Sequence, residues 1–192
     1  MISIDFTQTE LAAAIGRGVH QCVVIGSWQQ PWREAFRSSF ERTLKVFAVD
    51  EDPQSDSAVT FVPTQFASEA LATALEKSDF DKRKTSLFVW LGSAGYRTAE
   101  AALASLAFIA SLPRGSGVVF DYAVERASLG SLAHTPLDAL ASRIILTGGS
   151  VKYLIQPQAV AAMLRGLGFQ QIVDLVQAGL PDCSGHLVSA LV

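Results

Sequence analysis

The sequence predicts one α/β domain spanning residues 1–192, with a mostly parallel sheet covered by helices on both faces and an antiparallel hairpin at its C-terminal end. Three observations predict it. Short apolar runs alternate with helical stretches, the last two apolar runs are joined by a segment too short for a crossover helix, and the length suits one domain with a substantial core.

The strands come first. QCVVIG (residues 21–26), LKVFAVD (44–50), TSLFVWLG (85–92) and GSGVVFDYAV (115–124) are continuous apolar runs bounded by turn residues, the pattern of strands buried on both faces. Helical patterns fill the gaps at 32–43, 67–77, 98–112 and 157–167, the last opened by Pro157 and closed by Gly168. FQQIVDLV (169–176) and GHLVSALV (185–192) are separated only by QAGLPDCS, so they should pair as a hairpin. The polar stretch EDPQSDSA (51–58) is a loop rather than a domain boundary, and the chain contains no internal repeat or low-complexity segment.

Composition excludes several classes. The 15 Lys and Arg residues are scattered and the net charge is −3, so no phosphate-tracking surface for nucleic acid is expected. Cys22 and Cys183 fit no paired spacing, which argues against a disulfide framework or a zinc site, and hence for no metal and a reducing, cytoplasmic setting. MISIDFTQTE is not a secretory signal, and the most apolar stretch, residues 99–112, is about 14 residues against the roughly 20 needed to span a bilayer. Charged residues are only 17% of the chain, a shortage that points to an outer face covered by a second copy or a protein partner.

In an open parallel sheet, ligands bind at the carboxyl ends of the strands where strand order reverses. The residues there are Gly26, Ser27 and Trp28 after the first strand, Asp50 after the second, and Leu91 after the strand ending at Trp90. Asp50, 24 residues beyond Gly26, stands where a carboxylate grips the two ribose hydroxyls of a nucleoside; it also starts the turn DEDP, a common solvated use of aspartate. The histidines, His20, His134 and His186, are widely spaced and read as structural or solvated. Ser93 in LGSAGY lacks the G-x-S-x-G spacing and convincing partners, which leaves little ground for a hydrolase.

The segments QCVVIGSWQQPWR, KVFAVDED, VTFVPTQFASEALATALEKSDFDKRKTSLFVWLGSAGYRT, ASLPRGSGVVFDY and LIQPQAVAAMLRGLGFQQIVDL together resemble the leucine carboxyl methyltransferase family of S-adenosylmethionine-dependent O-methyltransferases, over roughly residues 20 to 176. The resemblance implies a Rossmann-like methyltransferase fold, a three-layer sandwich around a seven-stranded sheet whose last strand is antiparallel. It implies S-adenosylmethionine as cofactor, held by Gly26, Ser27 and Trp28 at the first turn, Asp50 on the ribose, Gln65 on the adenine amino group and Leu91 near the ammonium group. Tyr96 matches a tyrosine near the substrate channel and is the catalytic candidate; packing at a helix start is its alternative role.

Departures from the family pattern cluster at the cofactor. Trp28 replaces a second glycine, Leu91 replaces a glutamate, and only about 20 residues precede the first strand where the family carries a long helical region. Trp28 and Trp32 share a helix face and are read as filling the vacated pocket, or as an anchor for a partner. Losing two or three charged contacts worth roughly 1.5 to 3 kcal/mol each weakens binding on the order of a thousandfold. The resulting expectation is a methyltransferase-fold protein with weak or lost cofactor binding, acting as a non-catalytic interaction domain. The alternatives are an active O-methyltransferase on a small molecule or carboxylate, and a domain that binds a different nucleoside-containing or apolar ligand.

Overall fold

A computed structural model of the chain describes residues 2–26, 44–51, 58–65, 69–91, 99–125, 144–147, 150–153, 157–177 and 183–192. In chain order the elements are α1 (Ile2–Gly16), β1 (Gln21–Ile25), β2 (Lys45–Asp50), β3 (Val59–Pro63), α2 (Leu71–Glu76), β4 (Ser86–Trp90), α3 (Ala99–Ala110), β5 (Gly117–Glu125), β6 (Ile144–Thr147), β7 (Ser150–Tyr153), α4 (Pro157–Leu167), β8 (Gln171–Gln177) and β9 (Cys183–Leu191). Seven strands form one sheet in the order β3-β2-β1-β4-β5-β9-β8, and β6 and β7 form a separate antiparallel pair.

The pairings along β3-β2-β1-β4-β5 are parallel, while β9 runs antiparallel to both β5 and β8. This is the expected mostly parallel sheet with an antiparallel C-terminal hairpin. The reason lies in the short joint between β8 and β9, which permits only an antiparallel return.

β1 is buried at all five positions. Its side chains alternate between two cores: Val23 and Ile25 join one cluster with Phe47, Phe88, Leu75, Ile109 and Leu164, while Cys22 and Val24 join another with Leu11, Ala14, Val46 and Val89. Helices α2, α3 and α4 cover the first face and α1 covers the second. Full burial raises the Cys22 thiol above its ordinary range, so this cysteine is an inert core residue.

The structure differs from the sequence reading at α1, β3, the start of α2 and the β6-β7 pair, which was not expected. α1 was not expected, because its buried positions Thr7, Leu11 and Ala14 include one polar and one small residue and so give little hydropathy signal. Glu10 accepts a hydrogen bond from the Ser189 hydroxyl at 2.7 Å, which ties this helix to β9. β3 is a partly buried edge strand rather than a continuous apolar run, and α2 begins at Leu71 instead of residue 67. By contrast α4 ends as expected: Gly168, at φ +109°, lets its N–H reach Arg165 O and the Phe169 N–H reach Leu164 O. The expected helix at 32–43 lies outside the described residues, as do His134 and Ser93.

Beneath the amino ends of the strands, Phe80 meets Phe47 edge-on at 5.5 Å and Phe88 at 6.1 Å, and Phe88 meets Phe108 at 6.2 Å. Gln21 fixes the loop that carries Phe80. Its amide donates to Asp81 O at 2.9 Å and to the Ser86 hydroxyl at 3.0 Å, and accepts from the Asp81 N–H at 2.9 Å.

At the other end of the sheet, the C-terminal hairpin is held by a polar trio. The Tyr122 hydroxyl donates to Asp174 Oδ2 at 2.5 Å, His186 Nδ1 lies 2.7 Å from Asp174 Oδ1, and the Tyr122 and His186 rings pack with centroids 5.0 Å apart. Tyr122 and His186 are directly opposed on β5 and β9, and Asp174 lies diagonally across on β8. His186 therefore sits inside β9 as a buried residue.

Two outcomes test this packing. Phe88→Ala removes a fully buried ring from the aromatic cluster and is expected to cost about 3 to 5 kcal/mol in urea unfolding. Burial first, and the hydrogen bond to Asp174 second, raise the Tyr122 phenol above its ordinary value of 10.0. A group raised on folding stabilises below its unfolded value and loses that contribution as pH rises, so stability is expected to fall above about pH 10. Tyr122→Phe should flatten that alkaline decline in thermal melts recorded from pH 8 to 11.

Candidate functional site

Strand order reverses between β1 and β4. The strand after β1 in the chain, β2, lies on one side of it and the strand after β4, β5, lies on the other, so their carboxyl ends are where a sheet of this order places a ligand crevice. The register places three residues at its floor: Ile25 pairs with Val49 and with Trp90, which brings the next residues, Gly26, Asp50 and Leu91, to one level.

Gly26 closes β1 with its N–H donating to Val49 O at 2.9 Å. Its φ of +95° is a conformation that L side chains rarely adopt, whereas among the described residues a Cβ there would meet nothing nearer than Leu91 O at 4.0 Å. The requirement for glycine is thus conformational. The backbone turns away from the sheet here without a side chain over the crevice.

Asp50 is half-buried at the end of β2, and its carbonyl accepts the Thr64 N–H at 3.1 Å. Gln65 follows on the exposed rim, with its carbonyl accepting the Glu69 N–H at 2.9 Å. Thr64 and Glu69, which the sequence reading did not single out, complete this wall: the buried Thr64 hydroxyl lies 3.4 Å from Glu69 Oε2. Lys77 pairs with Glu69 at 2.5 Å, and the resulting hydrogen bond lowers the Glu69 carboxyl below its ordinary range. The only sequence signal for this pair was a Thr and a Glu five apart, between a strand end and a short helix.

Leu91 behaves differently from its neighbours. Its side chain is partly buried against the cluster beneath α1, so it packs into the core on that face. Among the described residues no group of three His, Cys, Asp or Glu side chains could hold a metal ion, and no helix is long and apolar enough to cross a membrane. Ser27, Trp28, Trp32 and Tyr96 lie outside the described residues.

The set divides in its fit to S-adenosylmethionine. Gly26, Asp50 and Gln65 suit the nucleoside half: an open backbone turn, a carboxylate for paired hydroxyls and an amide at the rim. Leu91 offers no charge to an ammonium group, and its side chain is committed to the core.

No protein-family profile matches the chain, and no curated protein matches it in sequence. Solved structures do. The N-terminal domain of EvdMO1 with SAH bound is similar at a TM-score of 0.60 and 15% identity, over 98% of this chain and 80% of that one. The N-methyltransferase NodS from Bradyrhizobium japonicum WM9 is similar at 0.57 and 12%, over 97% and 94%. The 1,6-didemethyltoxoflavin-N1-methyltransferase of Burkholderia thailandensis, solved with S-adenosylhomocysteine, is similar at 0.57 and 14%, over 98% and 77%.

Gly26→Ala is expected to destabilise the chain by about 1 to 2 kcal/mol from backbone strain alone, read as a lower urea midpoint with an unchanged slope. An unchanged midpoint would remove the conformational requirement at this turn. The sheet order, the antiparallel last strand and these likenesses together give the chain the Rossmann-like fold of S-adenosylmethionine-dependent methyltransferases.

Proposed function

We propose that the chain is an S-adenosylmethionine-dependent methyltransferase acting on a small-molecule acceptor, with the leucine carboxyl methyltransferase type suggested by its quoted segments. The observation that carries the reading is the placement of Gly26 and Asp50 at one level on adjoining strands, at the point where strand order reverses. Asp50 holds the ribose hydroxyls, Gln65 meets the adenine edge, and Gly26 puts no side chain of its own against the ligand. When bound, the cofactor supplies an electrophilic methyl group. EvdMO1 and the toxoflavin-precursor enzyme were both solved with SAH, which supports the same nucleoside in this crevice.

A second reading rests on Leu91. With its side chain turned into the core, the end of β4 presents no carboxylate to the cofactor's ammonium group, and a non-catalytic domain that binds a partner or a second copy follows from losing that contact.

Calorimetric titration with S-adenosylhomocysteine separates the two. Micromolar binding that falls by roughly ten- to a hundredfold in Asp50→Ala, a loss of about 1.5 to 3 kcal/mol, is the expected result. Absence of heat at millimolar ligand would favour the non-catalytic reading, and sedimentation would then show whether the chain pairs with itself.

A further inference from the structure

We infer that β8 is a docking edge for a second copy of this chain, whose own β8 pairs with it antiparallel about a two-fold axis and joins the two sheets into one. The pairing stands whether or not the crevice holds a cofactor, because it lies at the outer edge of the sheet, beyond β9.

Two observations single out this edge. Among the described residues the exposed large hydrophobic side chains are Val173, Leu175 and Val176, at 48%, 41% and 69% exposure, and all three belong to β8. Its sequence, QIVDLVQ, pairs with β9 in one unbroken register and contains no Pro, Gly, Lys or Arg. Neither a bulge, nor a basic side chain, nor a missing N–H blunts its outer row of backbone groups. The opposite edge is better protected: β3 is shorter, partly covered and ends at Pro63, which has no N–H to offer.

The sequence of β8 says which strand fits it. Read about Asp174 it is a near-palindrome. A two-fold antiparallel pairing of β8 with itself sets Val173 of one copy opposite Leu175 of the other, Ile172 opposite Val176 and Gln171 opposite Gln177. Each apolar position then meets an apolar one. Side chains alternate across a strand, and Ile172 packs against the cluster covered by α4, so Val173 and Leu175 share the other face of the joined sheet. A strand from an unrelated protein would not need this symmetry.

The same register puts Asp174 opposite Asp174, and like charges directly opposed would resist pairing. The structure removes that objection. Asp174 reaches inward over β9: its carboxylate accepts the Tyr122 hydroxyl on β5 at 2.5 Å and lies 2.7 Å from His186 Nδ1 on β9. The two carboxylates are thereby held away from the two-fold axis, and the one charge that could guard the edge is directed into its own sheet. A single strand pair covers less than the roughly 1,200 Å² of a standard stable interface, so the dimer is weak and forms as concentration rises.

The test is sedimentation of the full chain from about 1 to about 500 μM, with hydrogen exchange of the β8 amides followed at both ends of that range. The expected result is a mass that rises from one chain to two, with the outward-facing β8 amides exchanging about threefold or more slowly at the high end. Val173→Lys puts a charge against Leu175 of the other copy and is expected to keep the chain monomeric throughout. Its melting temperature at the lowest concentration should match the wild type, because the replaced side chain is half exposed. Leu175→Lys carries the test if that variant does not fold. A wild-type chain that stays monomeric overturns the inference: β8 amides already protected would assign the edge to a segment of this chain, and amides that exchange freely would leave it to another protein. A dimer that survives the lysine variants, or one whose β8 amides exchange as fast as in the monomer, overturns it as well.

Discussion

Burial of β1 and β4 on both faces is the constraint from which the rest of the architecture follows. Neither strand has an exposed residue, so each face of the sheet needs its own cover, and alternate side chains of one five-residue strand feed two separate cores. With both faces of β1 and β4 covered, it is at their ends that the centre of the sheet can meet a ligand. The chain leaves β1 in one direction across the sheet and leaves β4 in the other, so the crevice between them is a consequence of how the apolar strands are buried. Gly26 is the local expression of that constraint: the backbone must turn sharply at the end of a fully buried strand, and it does so at positive φ.

The hairpin at the other side of the sheet solves a different problem. β9 lies between β5 and β8, and β5 runs nine residues against it while pairing with β4 over only four. The unmatched length of β5 carries Tyr122 beyond the end of β4, to a place where a polar side chain can sit at the rim of the crevice yet remain buried. Tyr122 and His186 both bond to the Asp174 carboxylate there. Such a bond contributes about 0.5 to 1.5 kcal/mol, but a partner left unsatisfied costs about 1 to 3 kcal/mol, so the three residues stand or fall as a set.

Which of these features the sequence disclosed depends on how local their causes are. α4 was legible to the residue, because Pro157 and Gly168 act through the backbone within one turn. β3 was missed as an element because VTFVP is short and half-covered, with neither strict alternation nor a continuous buried run. Asp50 and Gly26 were legible as a pair because their level is fixed by strand register, and register in a parallel sheet follows from where the apolar runs end. Tyr122, Asp174 and His186 were not, since their meeting depends on the pairing of β8 and β9, which joins residues 12 and 52 apart. Only after folding does a lone aspartate inside IVDLV acquire its two partners.

Leu91 shows how a correct position can carry an overstated energy. The sequence places it where an acidic residue is expected, and counting it as a lost contact in a desolvated site gives a penalty of a few kcal/mol. The structure changes the accounting in two ways. The leucine side chain packs against the cluster beneath α1 and does not occupy the crevice, so it puts no apolar group against the ligand. Leu91 is itself partly exposed, which makes this end of the crevice a rim. An ammonium group left in water loses a partner without being stripped of its hydration, and an ion pair at an exposed rim is worth only about 0 to 1 kcal/mol. If the crevice holds the cofactor as proposed, the missing charge weakens binding by less than tenfold, and the reading turns on the nucleoside half, where Gly26 and Asp50 stand at one level.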